Sequence, residues 1–176
     1  MTPDDPTERT LVDLAEFQRN HYFGKYRGIV EDVDDPLGIG RIRAQVPAVY
    51  ADQQSPWAMP CVPFAGADHG LVLLPETGDG VWIEFEAGDI SRPIWTGFWW
   101  GQDELPQPGA PQTYALVTSG GHQLILDDSA GEIKLIHSGG AEFVMTGDSI
   151  KLSIGGKQIE ITSASVNVNE GSLEVT

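Results

Sequence analysis

The amino-acid sequence predicts an all-β protein in two parts. A small OB-like barrel comes first, then a β-helix of short alternating strands, with a short helix ahead of both. Three observations point there. Twenty-one Gly and twelve Pro mark a turn-rich chain. From Tyr22 onward, apolar residues recur at every second position rather than at helical spacing. Beyond residue 118 the alternating segments return at intervals of roughly seven to ten residues, with Gly, Asp, Asn or Ser at the corners.

Residues 1–10 are polar, contain two Pro and read as a loose tail. Within LVDLAEFQRN (11–20), Leu11, Leu14, Ala15 and Gln18 fall at helical spacing, and Thr10 is a candidate cap. The pair YRGIVEDV and GRIRAQVPAVY, separated by DDPLGI, reads as a hairpin. PWAMPCVPF carries three Pro, which cannot donate to a ladder, so it reads as an edge strand or irregular stretch. HGLVLLP and DGVWIEFEAGD are strand signals around the turn PETGDG, and RPIWTGFWW is a fifth. Five short strands over residues 21–102 match a small barrel. The Pro-rich acidic stretch at 103–118 reads as a linker.

Residues 119–176 carry the repeats HQLILDD, GEIKLIH, EFVMTGD, SIKLSI, KQIEIT, SVNVN and SLEVT. Their short period reads as a β-solenoid, with an ordinary antiparallel meander as the alternative. The expected inward stripe is Leu124, Leu126, Ile133, Leu135, Phe143, Met145, Ile150, Leu152, Ile154, Ile159, Ile161, Val166, Val168, Leu173 and Val175. In the last segments the outward positions, Lys151, Ser153, Lys157, Glu160, Thr162, Asn167, Asn169 and Glu174, are charged or polar. Such strands have one apolar face and no second layer to cover it. With no capping segment expected before Thr176, they are expected to pack against copies of themselves.

Lys+Arg number 10 against Asp+Glu 26, a formal charge of −16. That balance excludes nucleic acid and anionic membrane surfaces as standing partners. Cys61 is the single cysteine, so an intrachain disulfide and a Cys-rich metal site are excluded, and it reads as a small buried hydrophobe. The acidic start carries no signal-peptide pattern, so synthesis and folding in the cytoplasm are expected.

Chemistry-bearing residues are sparse. Asp127 and Asp128 are strand neighbours whose side chains diverge, so they read as a turn pair. Glu84 and Glu86 share one strand face instead of flanking a cleft, unlike a glycosidase pair. His122 follows Gly120–Gly121 and reads as fixing the entry to the repeats; His69 reads as loop. Trp95, Phe98, Trp99 and Trp100 could stack a ligand, but cations are scarce beside them, and core packing or contact with the linker and neighbouring chains is the reading. No enzyme activity, cofactor or metal is expected.

Three stretches together resemble one family: FGKYRGIVEDVDDPLGIGRIRAQVP (23–47); SPWAMPCVPFAG (55–66) with LPETGDGVWIEFEAGDISRPIWTGFWWG (74–101); and SGGHQLILDDSAGEIKLIH (119–137). The motif positions are Gly78, Asp79, Val81, Ile83, Phe85, Gly88, Asp89, Pro93, Gly97, Gly121, His122, Asp127 and Asp128. The chain is thereby similar to the central spike proteins of contractile injection machines: phage baseplate assembly protein V, the non-enzymatic parts of the T4 tail spike, and the VgrG spikes of type VI secretion. The resemblance implies an OB-fold followed by a trimeric, intertwined, triangular β-helix. It also implies a homotrimer that caps an inner tube, docks on a hub protein at its N-terminal side, carries a PAAR-like tip protein at its C-terminal end and meets the target membrane only while piercing it. The implied setting is a phage tail-like particle assembled in the cytoplasm and delivered outside it. The T4 lysozyme domain and the large VgrG hub module have no counterpart here, and no His follows His137, so no tip metal is carried over. The alternative function is an OB-fold module binding a glycan or other ligand on a β-repeat stalk. A cell-wall hydrolase would need a lytic domain that the sequence does not contain.

Overall fold

A computed structural model of the chain describes residues 6–175. They divide into two compact units, parted between Asp103 and Glu104.

The first unit opens with helix α1 (Pro6–Asn20). The helix starts one turn earlier than the apolar spacing indicates, because Pro is well tolerated in a first helical turn. Thr10 is therefore inside it and caps nothing; its hydroxyl donates back to the Pro6 carbonyl at 2.9 Å. The part of the expected loose tail at residues 1–5 lies outside the described residues.

The strands β1 (Tyr26–Asp32), β2 (Arg43–Gln45), β3 (Met59–Pro60), β4 (Ala65–Gly66), β5 (His69–Gly70), β6 (Gly80–Phe85) and β7 (Pro93–Phe98) follow. Five of them form a curled sheet in the order β2-β1-β6-β7-β3, consistent with an OB-fold. The hairpin β1–β2 forms as the period-two pattern requires, with Val30 opposite Ala44. Its far end differs from the expected strand: Pro47 starts a one-turn helix, α2 (Pro47–Tyr50). The Pro-rich piece supplies only β3, paired parallel to β7 at the sheet edge, where missing N–H donors cost least. HGLVLLP gives just β5, hairpinned with β4, and leaves residues 71–76 without regular structure.

Alternation decides the core. Val81, Ile83 and Phe85 of β6 face Val30, Ile42, Ala44, Val46, Ala58 and Trp95, all buried. The same alternation corrects Cys61. Ala58 is buried and Val62 packs on the core, so the odd position between them faces out, and the thiol is exposed.

The second unit is one eight-stranded sheet: β8 (Thr113–Val117), β9 (Gln123–Asp127), β10 (Glu132–Ile136), β11 (Glu142–Met145), β12 (Ser149–Ile154), β13 (Lys157–Thr162), β14 (Val166–Val168) and β15 (Leu173–Val175). Strand order follows chain order from end to end, and every pair is antiparallel. Strand β8 falls inside the expected linker, whose final residues instead pair with β9. The topology also differs from an intertwined β-helix. Each inner strand is bonded on both edges by its own sequence neighbours, which leaves no gap in the ladder for a strand of another copy.

Candidate functional site

Register turns the alternating pattern into a surface. Residues paired directly across antiparallel strands share a face. One row runs Tyr114, Leu126, Ile133, Met145, Ile150, Ile161, Val166, Val175. The next runs Leu116, Leu124, Leu135, Phe143, Leu152, Ile159, Val168, Leu173. Each row crosses all eight strands, and both contain only apolar side chains. Ile154 lies on the same face, opposite Lys157 beside the Gly155–Gly156 turn. The expected stripe is thus gathered on one face. Tyr114 and Leu116 join it, although their stretch reads as linker in the sequence.

This face is uncovered within one chain. Leu135 is 56% exposed, Ile161 45% and Leu173 60%. A hollow of about 580 Å³ lies along it, lined by Leu135, Phe143, Leu152, Ile159 and Val168 among others. The opposite face is mixed: Lys134 stands between Val144 and the buried Ile125, and Lys151 stands directly across from Glu160. Lys134 is bonded to Glu132, which with Asp127 and Glu142 raises its ammonium pKa. A sheet face that is apolar at every paired position of two full rows demands a second layer. That so much contiguous apolar surface stays open marks an interaction site.

His122 and His137 continue the face beyond Leu124 and Leu135, with ring centroids 4.5 Å apart. The Ser138 N–H donates to His122 Nδ1 at 3.3 Å, and the Gly139 N–H to His137 Nδ1 at 2.9 Å. His122 also donates its backbone N–H to Thr118 Oγ1 at 3.1 Å, tying the end of β8 to the β10–β11 turn. Gly121, in the β8–β9 turn, stands at φ 82°. Asp127 accepts from the Ser129 hydroxyl at 2.6 Å and from the N–H groups of Ser129 and Ala130, which depress its carboxyl pKa and fold the β9–β10 turn. Asp128 contributes its backbone N–H, donated to Gln112 O.

In the barrel the motif residues build turns. Gly78, at φ 98°, donates its N–H to Val30 O at 2.9 Å. The Asp79 carboxylate accepts the Glu76 N–H at 2.8 Å, and its carbonyl accepts the Val30 N–H. Asp89 accepts from Ser91 twice, which lowers its pKa. Gly97, at φ 143°, sits where the β6–β7 register shifts. Tyr50 packs edge-on against Phe85 and donates its O–H to the Ile90 carbonyl; burial, with Asp89, pushes the phenol up to about 12. The two glutamates part company: Glu84 pairs with Lys25 at 2.7 Å, while Glu86 turns into a 3₁₀ turn and pairs with Arg92. The aromatic group divides as well. Trp95 is core, Trp99 donates its indole N–H to Val81 O, and Trp100 is exposed. Arg27 lies 5.1 Å over Trp99 and 5.7 Å over Trp82, so guanidinium already covers these rings. Among the described residues no group of three or more His, Cys, Asp or Glu is arranged to hold a metal ion.

An OB-like barrel followed by a sheet with one bare apolar face defines a self-associating structural protein. Comparison with known families gives the same class. Residues 26–100 match the injector OB domain of type VI secretion systems and phage baseplates, and residues 113–174 match the phage baseplate V C-terminal trimerisation domain. The chain belongs to this baseplate family, and the two apolar rows coincide with the trimerisation domain.

Proposed function

We propose that the protein is the central spike of a contractile injection machine. Three copies bring their C-terminal sheets together, apolar face inward, as the three walls of a triangular prism. The trimer caps the inner tube, docks on a hub protein at its N-terminal side, receives a PAAR-like tip protein at its C-terminal end and pierces the target envelope when the sheath contracts. It transmits force and changes no covalent bond. The observation that carries this reading is the pair of unbroken apolar rows, which a single chain leaves in water and which a face-to-face trimer buries. Burying a side chain of this size contributes about 1.5–3 kcal/mol, repeated along both rows of every copy. A prism walled by antiparallel ladders suits a piercing role, because deforming it means breaking many hydrogen bonds at once.

Light scattering on a sizing column tests the assembly: a mass near three times 19.0 kDa is expected. A monomer at every concentration overturns the trimer. Imaging contractile particles that carry a tagged copy of the chain tests the role. The tag is expected at the leading end of the tube; a tag along the sheath, or absent from the particle, overturns it.

A further inference from the structure

Four consecutive aliphatic residues of the first unit stand uncovered. Leu71 is 40% exposed, Val72 76%, Leu73 46% and Leu74 53%. A run apolar at every position is the pattern of a strand buried on both faces, yet residues 71–74 belong to no sheet. Leu71 donates its N–H to Phe64 O at 3.2 Å, and among the described residues the backbone of Val72, Leu73 and Leu74 finds no partner. A Cβ built on Gly40 would stand 3.0 Å from Leu74, so the run abuts the β1–β2 connection. That loop exposes Leu37 and Ile39 in turn, at 64% and 48%. Apolar side chains and free backbone groups together describe half of a contact.

We propose that Leu71–Leu74 seats on the barrel of a neighbouring copy, forming a second contact between chains distinct from the C-terminal rows. The inference rests on the trimer reading. The occupant follows from tethering. The stretch between Phe98 of β7 and Thr113 of β8 covers residues 99–112, and a chain of that length reaches no more than about 50 Å fully extended. Once the C-terminal sheets have joined, the three barrels cannot separate further than these tethers allow. Their effective concentration is then of millimolar order, high enough for a small apolar contact to form. In cyclic symmetry each copy's run meets the same patch on the next copy, so three identical contacts close.

Hydrogen–deuterium exchange on the purified full-length protein tests this, read beside its native mass. In the wild-type trimer the amides of residues 72–74 are expected to exchange at least ~10-fold slower than free-peptide rates. Val72→Asp is expected to return them to those rates while the mass stays near three times 19.0 kDa and the amides of β6 stay protected. Free-peptide exchange at 72–74 in the wild-type trimer overturns the proposal and leaves the run to another protein of the particle. A monomeric mass instead overturns the trimer reading beneath it. Should Val72→Asp lose protection in β6 as well, the wild-type exchange rate alone decides.

Discussion

At the scale of single residues, polar groups on the barrel mainly shape turns. Asp35 is the strongest case. Its carboxylate accepts Arg41 Nη2 and Nε at 2.6 and 2.9 Å, and the backbone N–H groups of Leu37, Ile39 and Arg41. Its side chain is only 4% exposed. The Arg41 guanidinium first, then the three backbone donors, hold its carboxyl far below the usual carboxylate range. A carboxyl depressed by folding adds stability above its unfolded value, and that contribution fades as pH falls toward the folded one. Asp35→Asn is therefore expected to lower the thermal midpoint at pH 7, with the gap to wild type shrinking steadily below about pH 4. A gap independent of pH would mean that geometry, not charge, carries the effect. Gly88 makes a different demand. Its φ is 82°, and an added Cβ would meet His21 and Phe23 at 3.0 Å. Gly88→Ala is expected to cost about 1–3 kcal/mol, measured as a fall in the urea midpoint at unchanged slope.

At the scale of elements, the two faces of β13 make opposite predictions from adjacent residues. Ile161 stands in an apolar row between Ile150 and Val166, whereas Glu160 lies on the other face opposite Lys151. Ile161→Asp is expected to remove at least ~2 kcal/mol of burial per chain and to shift the native mass from three times 19.0 kDa toward 19.0 kDa. Glu160→Gln is expected to leave the mass unchanged, since one partly exposed cross-strand charge contributes about 0–1 kcal/mol. Equal effects would mean that the rows are not the interface. The rows were legible in the sequence because a period of two survives any turn length, so all of the stripe residues could be placed without knowing which strand pairs with which. Tyr114 and Leu116 escaped because TYALV shows little alternation and follows a Pro-rich run. The ladder partners also escaped. Alternation is the same in a meander and in an interleaved helix, and only the hydrogen bonds distinguish them. HGLVLLP reads as a strand by composition, yet beyond β5 it finds no neighbouring strand among the described residues. Cys61 was misread from its apolar company, although the spacing from Ala58 to Val62 already carried its outward facing.

At the scale of the whole molecule, apolar burial and charge act in opposite directions. Each copy carries a formal charge of −16, so a trimer carries three times that, and assembly brings like charges together. The apolar rows must outweigh this repulsion. Few ion pairs could reverse the sign, since ten cations face twenty-six anions in every copy. Salt separates the two forces. At ~10 mM ionic strength the screening length is about 30 Å, comparable to a small domain, and at ~0.15 M it is about 8 Å. Repulsion between copies is thus nearly complete at low salt and mostly screened at high salt, whereas apolar burial does not weaken. Raising sodium chloride from ~10 to ~300 mM is expected to tighten the trimer by tenfold or more, read as a fall in the concentration at which light scattering detects smaller species. Weakening of the trimer by salt would reverse the account, because it would mean that ion pairs between copies, not the two apolar rows, hold the sheets together.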